Sequence, residues 1–294
     1  MHYNGIMYRP PLEADTELLI PITEGCSHNS CRFCNMFTNI PFRMISLSEI
    51  EELLQGLSRH GNYRIATRAY LIGGDPFAVP ARYLKSYISL ILRYLPNISV
   101  FSMCSSVTNI KRKSDADLKE LARLGVNDLY VGIETGLSDV LTFMNKGNTA
   151  DEALQELLRL NKAGIRHRPL IMFGIAGKGR GKENAIATSE LLNKAKPNAI
   201  CATNLYIFPH TKLAADVEKG RFIPSDVVEA LQEEKILVEN LNLPNSIFWA
   251  AHDLNYIRVE GKLGNQKDKM LTTIEKGIQK YMHEPFPKIT HSLM

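Results

Sequence analysis

Short apolar stretches alternate with amphipathic helical patterns six times between Leu18 and Pro209. The strands that this alternation predicts are Leu18–Ile22, Ala69–Ile72, Ile98–Cys104, Asp128–Ile133, Leu170–Ile175 and Ala199–Phe208. Strands separated by helices are typical of a parallel sheet covered by those helices. Each unit occupies roughly 32 residues, close to the share expected when eight units form a barrel of ~250 residues. Six units are too few to close such a barrel, so we predict an α/β fold, an open (β/α)6 partial TIM barrel.

The segments that flank this barrel differ in character. The run Tyr8–Pro11 contains too much proline for a helix and is expected to cross the barrel. The C-terminal part contains two amphipathic helix patterns, Asp226–Leu241 and Lys267–Tyr281, with a short strand, Ile247–Ala251, between them. We therefore predict an N-terminal extension (1–17), the core barrel (18–210) and an α-rich C-terminal extension (211–294) that covers the barrel.

Residues suited to ligand binding follow the ends of predicted strands. Gly73-Gly74-Asp75-Pro76 follows the second strand, and Glu134 follows the fourth. Taken alone, the first motif is a common turn, and Glu134 is an acid that complements a helix N-terminus. Barrels of this kind keep their active sites at the C-terminal ends of their strands, so the shared position of the two motifs predicts a site there.

Three cysteines, Cys26, Cys31 and Cys34, lie within nine residues directly after the first strand. A reducing compartment denies such thiols a disulfide, which favours a role as metal ligands. One interpretation is a zinc site with His28 as the fourth ligand. The other is an iron–sulfur cluster that keeps one iron open. The remaining cysteines, Cys104 and Cys201, lie in predicted strands and are expected to be buried.

The stretch TEGCSHNSCRFCNMF resembles the cysteine signature of the radical S-adenosylmethionine (SAM) superfamily, with four residues instead of three between Cys26 and Cys31. The resemblance implies that Cys26, Cys31 and Cys34 hold a [4Fe-4S] cluster, whose open iron binds the amino and carboxylate groups of SAM. Phe33, the aromatic residue before the third cysteine, is then expected to pack beside the cluster.

The segment VGIETGLSDVLTFMNKG resembles the fourth strand and following helix of the branch that contains elongator-type acetyltransferases, methylthiotransferases and oxygen-independent coproporphyrinogen dehydrogenases. Segments near both chain ends are similar to a group of uncharacterised bacterial members. The likeness implies that Glu134 meets the SAM ribose and that Lys146 meets the SAM carboxylate. Taken alone, Lys146 is a basic residue near a helix end.

Two further parts of the SAM site follow from the same resemblance. Gly73, Gly74 and Asp75 match a Gly-Gly-Glu-Pro stretch that holds the SAM ammonium, with Asp75 in place of the glutamate. Met172 is expected to offer backbone hydrogen bonds to adenine. The family often places a ribose-binding polar residue early in the fifth strand, and this chain has Leu170 there.

The resemblance implies an oxygen-sensitive enzyme of unresolved reaction class. A reduced cluster would cleave SAM, and the resulting 5′-deoxyadenosyl radical would take a hydrogen from a small-molecule substrate. An electron donor such as flavodoxin or ferredoxin would be the partner. His252 is a candidate substrate contact, with a structural histidine as the equal alternative. Two other functions stay open: an RNA-modifying radical enzyme, and a non-catalytic iron–sulfur or zinc protein.

The charge and hydropathy of the sequence indicate which classes of partner the protein has. The net charge of +4 is mild, and we attribute the clusters Lys111–Lys113 and Arg166–Arg168 to a solvated surface, so nucleic acid is an unlikely partner. No apolar run approaches the ~20 residues of a membrane span, and no signal-peptide pattern is present, which predicts a cytoplasmic protein. The glycine-rich loop Gly177–Lys182 lacks P-loop spacing and is expected to be a flexible connection or lid.

Overall fold

The computed structural model describes residues 3–13, 15–16, 18–59, 63 and 65–283. Its main sheet contains, in spatial order, β1 (Leu18–Pro21), β2 (Arg68–Ile72), β3 (Val100–Ser106), β4 (Leu129–Glu134), β5 (His167–Phe173), β6 (Ala199–Asn204), β7 (Ile247–Ala250) and β8 (Val259–Lys262). Strands β1 to β7 are parallel, and β8 returns antiparallel to β7. Within the described residues the sheet is open, with β1 and β8 at its edges. The predicted fold class is confirmed.

Helices connect the strands. They are α1 (Leu47–Leu57), α2 (Ala81–Tyr94), α3 (Val107–Lys111), α4 (Asp115–Arg123), α5 (Ser138–Phe143), α6 (Ala150–Ala163), α7 (Gly181–Ala195), α8 (Lys212–Glu218), α9 (Val227–Asn240) and α10 (Lys267–His283). Helices α1, α4 and α6 start at capping boxes, in which a Ser or Thr hydroxyl and an acid three residues later satisfy each other's backbone amides. Over the ranges described, no helix is both long and apolar enough to cross a membrane.

The C-terminal extension adds to the sheet as well as to the helical layer. Its strand β7 pairs in parallel with β6, and β8 pairs with β7. Helix α9 packs against α7, α10 and β5, and α10 packs against β8, so the two helices extend the outer helical layer. The parallel sheet therefore continues one strand beyond the six units that the sequence pattern indicates.

The basic cluster at the start of β5 was wrongly predicted to be solvated. Strand β5 begins three residues before the predicted Leu170, and His167 is fully buried. The Arg168 guanidinium binds Glu13 at 2.9 Å and Asp128 at 3.0 Å. Arg166 remains half-exposed but also binds Asp128, at 2.9 Å. Acids from two distant segments make burial of these basic residues tolerable.

The second basic cluster and the glycine-rich loop also differ from expectation. Lys113 is buried, and its Nζ donates to the Phe77 carbonyl oxygen at 2.6 Å. The loop that was predicted to be flexible is held at several points. Its Arg180 guanidinium binds Asp139 of α5 at 2.8 Å, and the Gly179 amide donates to the Glu229 carboxylate of α9 at 2.5 Å.

The N-terminal segment crosses the barrel from one end of the strands to the other, as expected. At the C-terminal end of β1, the Asn4 amide donates to the Glu24 carboxylate at 3.0 Å. At the opposite end, Glu13 lies in a short 3-10 turn and binds Arg68 and Arg168, near the first residues of β2 and β5. The segment therefore packs, through Tyr3 and Leu12, against the buried cluster that contains Tyr70 and Tyr130.

Candidate functional site

The cysteine loop lies between β1 and α1, at the C-terminal end of the sheet. A two-stranded antiparallel ribbon, Thr23–Glu24 with Arg43–Met44, closes its base. Gly25 turns the chain into the loop with a φ of 65°, and a Cβ there would lie 2.4 Å from the Ile40 carbonyl oxygen. Only glycine suits that turn, because it combines a left-handed backbone with a close backbone approach.

The three thiols lie near one another in this loop. Cys26 and Cys31 are partly buried, whereas Cys34 is exposed. Although the residue as a whole is exposed, the Cys34 thiol group is sheltered, and desolvation raises its pKa; the Met36 amide lowers this pKa, and the nearby Cys31 and Cys26 thiolates raise it. Burial also raises the pKa of Cys31, the Lys146 ammonium lowers it, and the Glu134 carboxylate raises it. Cys31 therefore lies within the electrostatic fields of both Lys146 and Glu134.

Residues 144 and 145, just after α5, hold the loop from the other side. The Arg32 amide donates to the Met144 carbonyl oxygen at 3.0 Å, and the Asn145 side chain donates to the Ser30 carbonyl oxygen at 2.9 Å. His28 Nε2 donates to the Asn145 carbonyl oxygen at 2.6 Å. His28 thus fastens the loop to this segment.

Among the described residues, no three His, Cys, Asp or Glu side chains converge on a point where they could hold a single metal ion. A tetrahedral zinc site needs its ligands at about 2.0–2.3 Å from one atom. Iron–sulfur clusters are held differently, because separate irons bind separate cysteine thiolates.

Asp75 lies beneath the cysteine loop and is fully buried. Its carboxylate accepts hydrogen bonds from Ser27 Oγ at 3.0 Å, from Asn109 Nδ2 at 2.5 Å and from the Ser106 amide at 3.3 Å. Burial raises the pKa of Asp75, and these hydrogen bonds oppose that shift. Asp75 therefore fixes the cysteine loop to β3 and α3, and its contact with the SAM ammonium stays a prediction.

Gly73 and Gly74 bring the end of β2 against the same loop. A Cβ on Gly73 would overlap the Thr23 side chain, and one on Gly74 would lie 2.5 Å from the Gly25 carbonyl oxygen. The Gly74 amide donates to that oxygen at 3.0 Å. Both glycines are thus required by close packing, apart from any ligand.

Glu134 and Lys146 meet in a buried ion pair near Cys31. Lys146 Nζ lies 2.6 Å from Glu134 Oε1, and both side chains are largely shielded from solvent. Burial lowers the pKa of Lys146, but the Glu134 carboxylate, together with the Cys31 and Cys26 thiolates, raises it overall. Gly132 makes room for the pair, because a Cβ there would lie 2.7 Å from Glu134 Oε1 and 2.9 Å from Lys146 Nζ. Glu134 itself adopts a left-handed φ of 62° at the irregular end of β4.

An apolar cluster adjoins this ion pair. Phe33 is buried among Val140, Met144 and Ile175, and Cys31 and Met172 pack against the same cluster. The structure therefore brings the predicted cluster neighbour Phe33 and the predicted adenine neighbour Met172 into one apolar surface.

The barrel interior below the cysteine loop is filled by the protein's own side chains. Tyr70, Tyr130, Cys201 and Trp249 are buried there, and Cys104 packs against them. The Tyr70 hydroxyl and Cys104 Sγ lie 3.1 Å apart. Space for a ligand is therefore to be sought at the strand ends, not deep in the barrel.

His252 follows β7 at its C-terminal end. Its Nδ1 accepts a hydrogen bond from the Leu254 amide at 3.1 Å, and its ring meets the Trp249 ring edge to face, with centroids 6.5 Å apart. His252 thus lies on the end of the sheet that carries the cysteine loop. Its role as a substrate contact stays a prediction.

Sequence reasoning missed several residues that build the site. Ser27, Asn109 and Asn145 are isolated polar residues without motif spacing, and their partners are distant in sequence. Arg32 is another, because it binds Asp216 of α8 at 2.9 Å and so ties the cysteine loop to the C-terminal extension. The sequence signal that Ser27, Arg32 and Asn145 carried is adjacency to the motif residues Cys26, Cys31 and Lys146, and Asn109 carried none.

Comparison with known proteins agrees with this geometry. A family profile described as the radical SAM superfamily matches residues 20–210, which include the cysteine loop, Glu134 and Lys146. The heme chaperone HemW of Bacillus subtilis (strain 168) is 25% identical over 190 residues, which are 64% of this chain and 49% of that protein. The heme chaperone HemW of Lactococcus lactis subsp. lactis is 23% identical over 244 residues, which are 79% of this chain and 63% of that protein.

The chain thus spans about half to nearly two thirds of the length of these curated relatives. Among solved structures, Elp3 of Methanocaldococcus infernus matches with a TM-score of 0.57 and 13% identity. The match covers 89% of this chain and 63% of that chain. At such low identity the likeness shows the fold alone.

Proposed function

We propose a function from one premise: the chain belongs to the radical SAM superfamily. The superfamily and branch indicated by the sequence motifs are confirmed, and the cofactors are a [4Fe-4S] cluster and SAM. We propose further that the protein cleaves SAM reductively and takes a hydrogen from a small-molecule substrate. A flavodoxin or ferredoxin would supply the electron.

The residues present fit both cofactors. Cys26, Cys31 and Cys34 provide three thiols from one loop, and Cys31 lies beside the Glu134–Lys146 pair. Thiolates are the form that binds iron. Glu134 supplies a carboxylate of the kind that accepts hydrogen bonds from ribose hydroxyls. We propose that these five residues hold the cluster and SAM.

The observation that carries the proposal is the buried Glu134–Lys146 pair beside Cys31. Burying an ion pair costs free energy that structure alone seldom recovers, which favours a functional reason for it. Lys146 Nζ has three N–H donors, so it can bind a ligand carboxylate while it keeps its bond to Glu134. When bound, the cluster and SAM supply an adenosyl radical, and the chain's part is to orient SAM and exclude water.

The proposed substrate site lies at the mouth of the barrel, between the cysteine loop and His252. Tyr70, Tyr130 and Trp249 fill the interior below, so a substrate would approach from the strand ends. A compact molecule suits a site bounded in this way, which favours a small-molecule substrate. His252, which follows β7 at this end of the sheet, is the proposed substrate contact.

Equilibrium SAM binding to anaerobically reconstituted protein tests the assignment of these side chains. Glu134→Ala and Lys146→Ala should each weaken SAM binding roughly tenfold or more, since a hydrogen bond to a charged group contributes ~1.5–3 kcal/mol. Iron content should stay at the wild-type level in both variants, and Cys201→Ala serves as a matched control with unchanged SAM affinity. Equal SAM affinity in all four proteins would overturn the assignment.

A second candidate function is heme handling, because both curated relatives are named heme chaperones. Such a protein would use its cluster without turning over a metabolite. A hemin titration distinguishes the two functions. A saturable Soret band at one heme per chain, together with no SAM cleavage under reduction, would favour the heme function.

A further inference from the structure

A buried chain of hydrogen bonds connects the C-terminal extension to two strand ends at the proposed SAM site. It starts at Glu233 of α9, which is 1% exposed. Glu233 Oε2 accepts from the Gly174 amide at 2.9 Å, just beyond the end of β5. Glu233 Oε1 accepts from Asn184 Nδ2 of α7 at 2.6 Å. Met172, the predicted adenine neighbour, is two residues before Gly174.

Asn184 connects this series of hydrogen bonds to the turn that follows Glu134. Its Oδ1 accepts from the Thr135 hydroxyl and, at 3.2 Å, from the Thr188 hydroxyl. Thr188 in turn accepts from the Gly136 amide at 2.9 Å. Asn184 Nδ2 also lies 3.4 Å from the Met172 carbonyl oxygen. One buried amide thereby fixes the ends of β4 and β5 relative to each other.

The glycine-rich loop permits helix α9 to approach this closely. A Cβ on Gly181 would lie 3.1 Å from Glu233 Oε2, so a larger residue there would press on the carboxylate. Earlier in the loop, the Lys178 amide donates to the Ile223 carbonyl oxygen at 2.8 Å. The loop that was predicted to be a flexible connection or lid is therefore a docking point for the extension.

Glu233 and its neighbour Glu234 are both buried, but they differ in their bonding. Burial raises the pKa of Glu233 to about 8, and the hydrogen bonds from Gly174 and Asn184 act against that rise. Burial also raises the pKa of Glu234, whose Oε1 has no hydrogen-bond partner among the described residues. Burying a carboxyl group lowers the free energy of unfolding, and an apolar residue at this position would allow α9 to pack without that loss. The bonds of Glu233 therefore point to a positioning role.

We propose that Glu233 is a positioning residue for SAM, which sets the backbone at the ends of β4 and β5 through Asn184 and Thr135. The C-terminal extension would thus determine SAM affinity without touching SAM. This inference rests on the proposed function, because it concerns the same SAM site.

Substitution of Glu233 by glutamine tests the proposal. Glu233→Gln replaces one acceptor oxygen by an NH2 group, which must then face one of two donors, the Gly174 amide or Asn184 Nδ2. We expect the SAM dissociation constant to rise about tenfold, as for the loss of one well-formed hydrogen bond. Glu234→Gln on the same helix is the matched control and should leave SAM affinity unchanged.

A paired substitution distinguishes positioning from general stabilisation. In Glu233→Gln combined with Asn184→Asp, the glutamine NH2 can donate to the new carboxylate, which restores the bond with its direction reversed. The pair should recover most of the lost SAM affinity. If Glu233→Gln fails to fold, Thr135→Val removes the hydrogen bond at the other end of the same network and should weaken SAM binding likewise.

The outcomes separate this inference from the function on which it rests. Wild-type SAM affinity in Glu233→Gln, with or without a lower thermal midpoint, would overturn the positioning role alone. Equal weakening in Glu234→Gln would also overturn it, because that result would show a general effect of α9. Wild-type protein that holds its cluster but binds no SAM would overturn the proposed function, and the inference with it.

Discussion

Substitution of Gly74 by alanine tests how the end of β2 supports the cysteine loop. The added Cβ would lie 2.5 Å from the Gly25 carbonyl oxygen and 2.9 Å from Cys26 Cβ. Contacts of about 3.4 Å are the closest that a Cβ ordinarily makes, so the loop must retreat by roughly 0.9 Å. Metal ligands tolerate errors of only ~0.2 Å, which means that Cys26 would no longer reach its iron correctly.

The expected loss of stability follows from the same contacts. Overpacking of a close-packed region costs ~1–3 kcal/mol, and alanine recovers ~0.5–1 kcal/mol by restricting the unfolded chain. We therefore expect the free energy of unfolding of the metal-free Gly74→Ala protein to fall by about 1–2 kcal/mol. Urea denaturation measures this change, and iron analysis after anaerobic reconstitution measures the loss of the cluster.

Gly56→Ala is the matched control. Gly56 lies within α1, where an added Cβ would meet no atom within 4 Å. Alanine there should raise the free energy of unfolding by ~0.5–1 kcal/mol and leave the iron content unchanged. Full iron content and wild-type stability in Gly74→Ala would refute the reasoning, because they would show that the loop does not depend on this contact.

Three further predictions concern buried ionisable side chains. Lys146→Met leaves the Glu134 carboxylate buried without a partner and should lower the free energy of unfolding by ~3–5 kcal/mol in denaturant titrations, whereas Lys146→Met with Glu134→Gln should restore much of it. Asp75→Ala should lower the iron content, because Asp75 anchors Ser27 of the cysteine loop at 3.0 Å; undiminished iron would leave a SAM contact as its sole role. Burial lowers the pKa of His167 from 6.5 to about 4. The stability that neutral His167 contributes is present above pH 6.5 and is lost as the pH falls towards 4. The free energy of unfolding should therefore be ~2 kcal/mol lower at pH 5 than at pH 7.5. His167→Gln should reduce this dependence of the free energy of unfolding on pH.

Local sequence patterns predicted much of the fold because the relevant physics is local. The capping boxes at Ser46, Ser114 and Thr149 involve residues three apart, so the chain carries the whole signal in a few positions. The turn at Gly164, with a φ of 82°, ends α6 where the apolar pattern stops. The alternation of strands and helices was equally plain, and it implied the parallel sheet.

The parts that the sequence did not predict depend on contacts between distant segments. Local sequence predicts that Arg168 is a surface residue, because its partners Glu13 and Asp128 lie in other parts of the sequence. Similarly, the pairing of β7 with β6 joins segments that are far apart in the sequence, which no local pattern encodes. Strand boundaries shifted for the same reason, since β5 extends to His167 once its basic residues find partners.

In the candidate site too, sequence motifs predicted some residues, whereas others depend on contacts between distant segments. The cysteines, Glu134 and Lys146 were found because their spacing resembles a known signature, and the structure brings Glu134 and Lys146 together at 2.6 Å. Asn109 and Glu233 were not found, because each is an ordinary polar residue of a helix until its distant partner is known.

The most direct test of the account is SAM cleavage under reduction. Anaerobically reconstituted protein should be incubated with SAM and dithionite, and 5′-deoxyadenosine should be measured by chromatography and mass spectrometry. We predict 5′-deoxyadenosine well above the level given by the Cys31→Ala variant, which loses a thiolate that the cluster needs. A brown protein with about four irons per chain that forms no 5′-deoxyadenosine above that control would contradict the central claim.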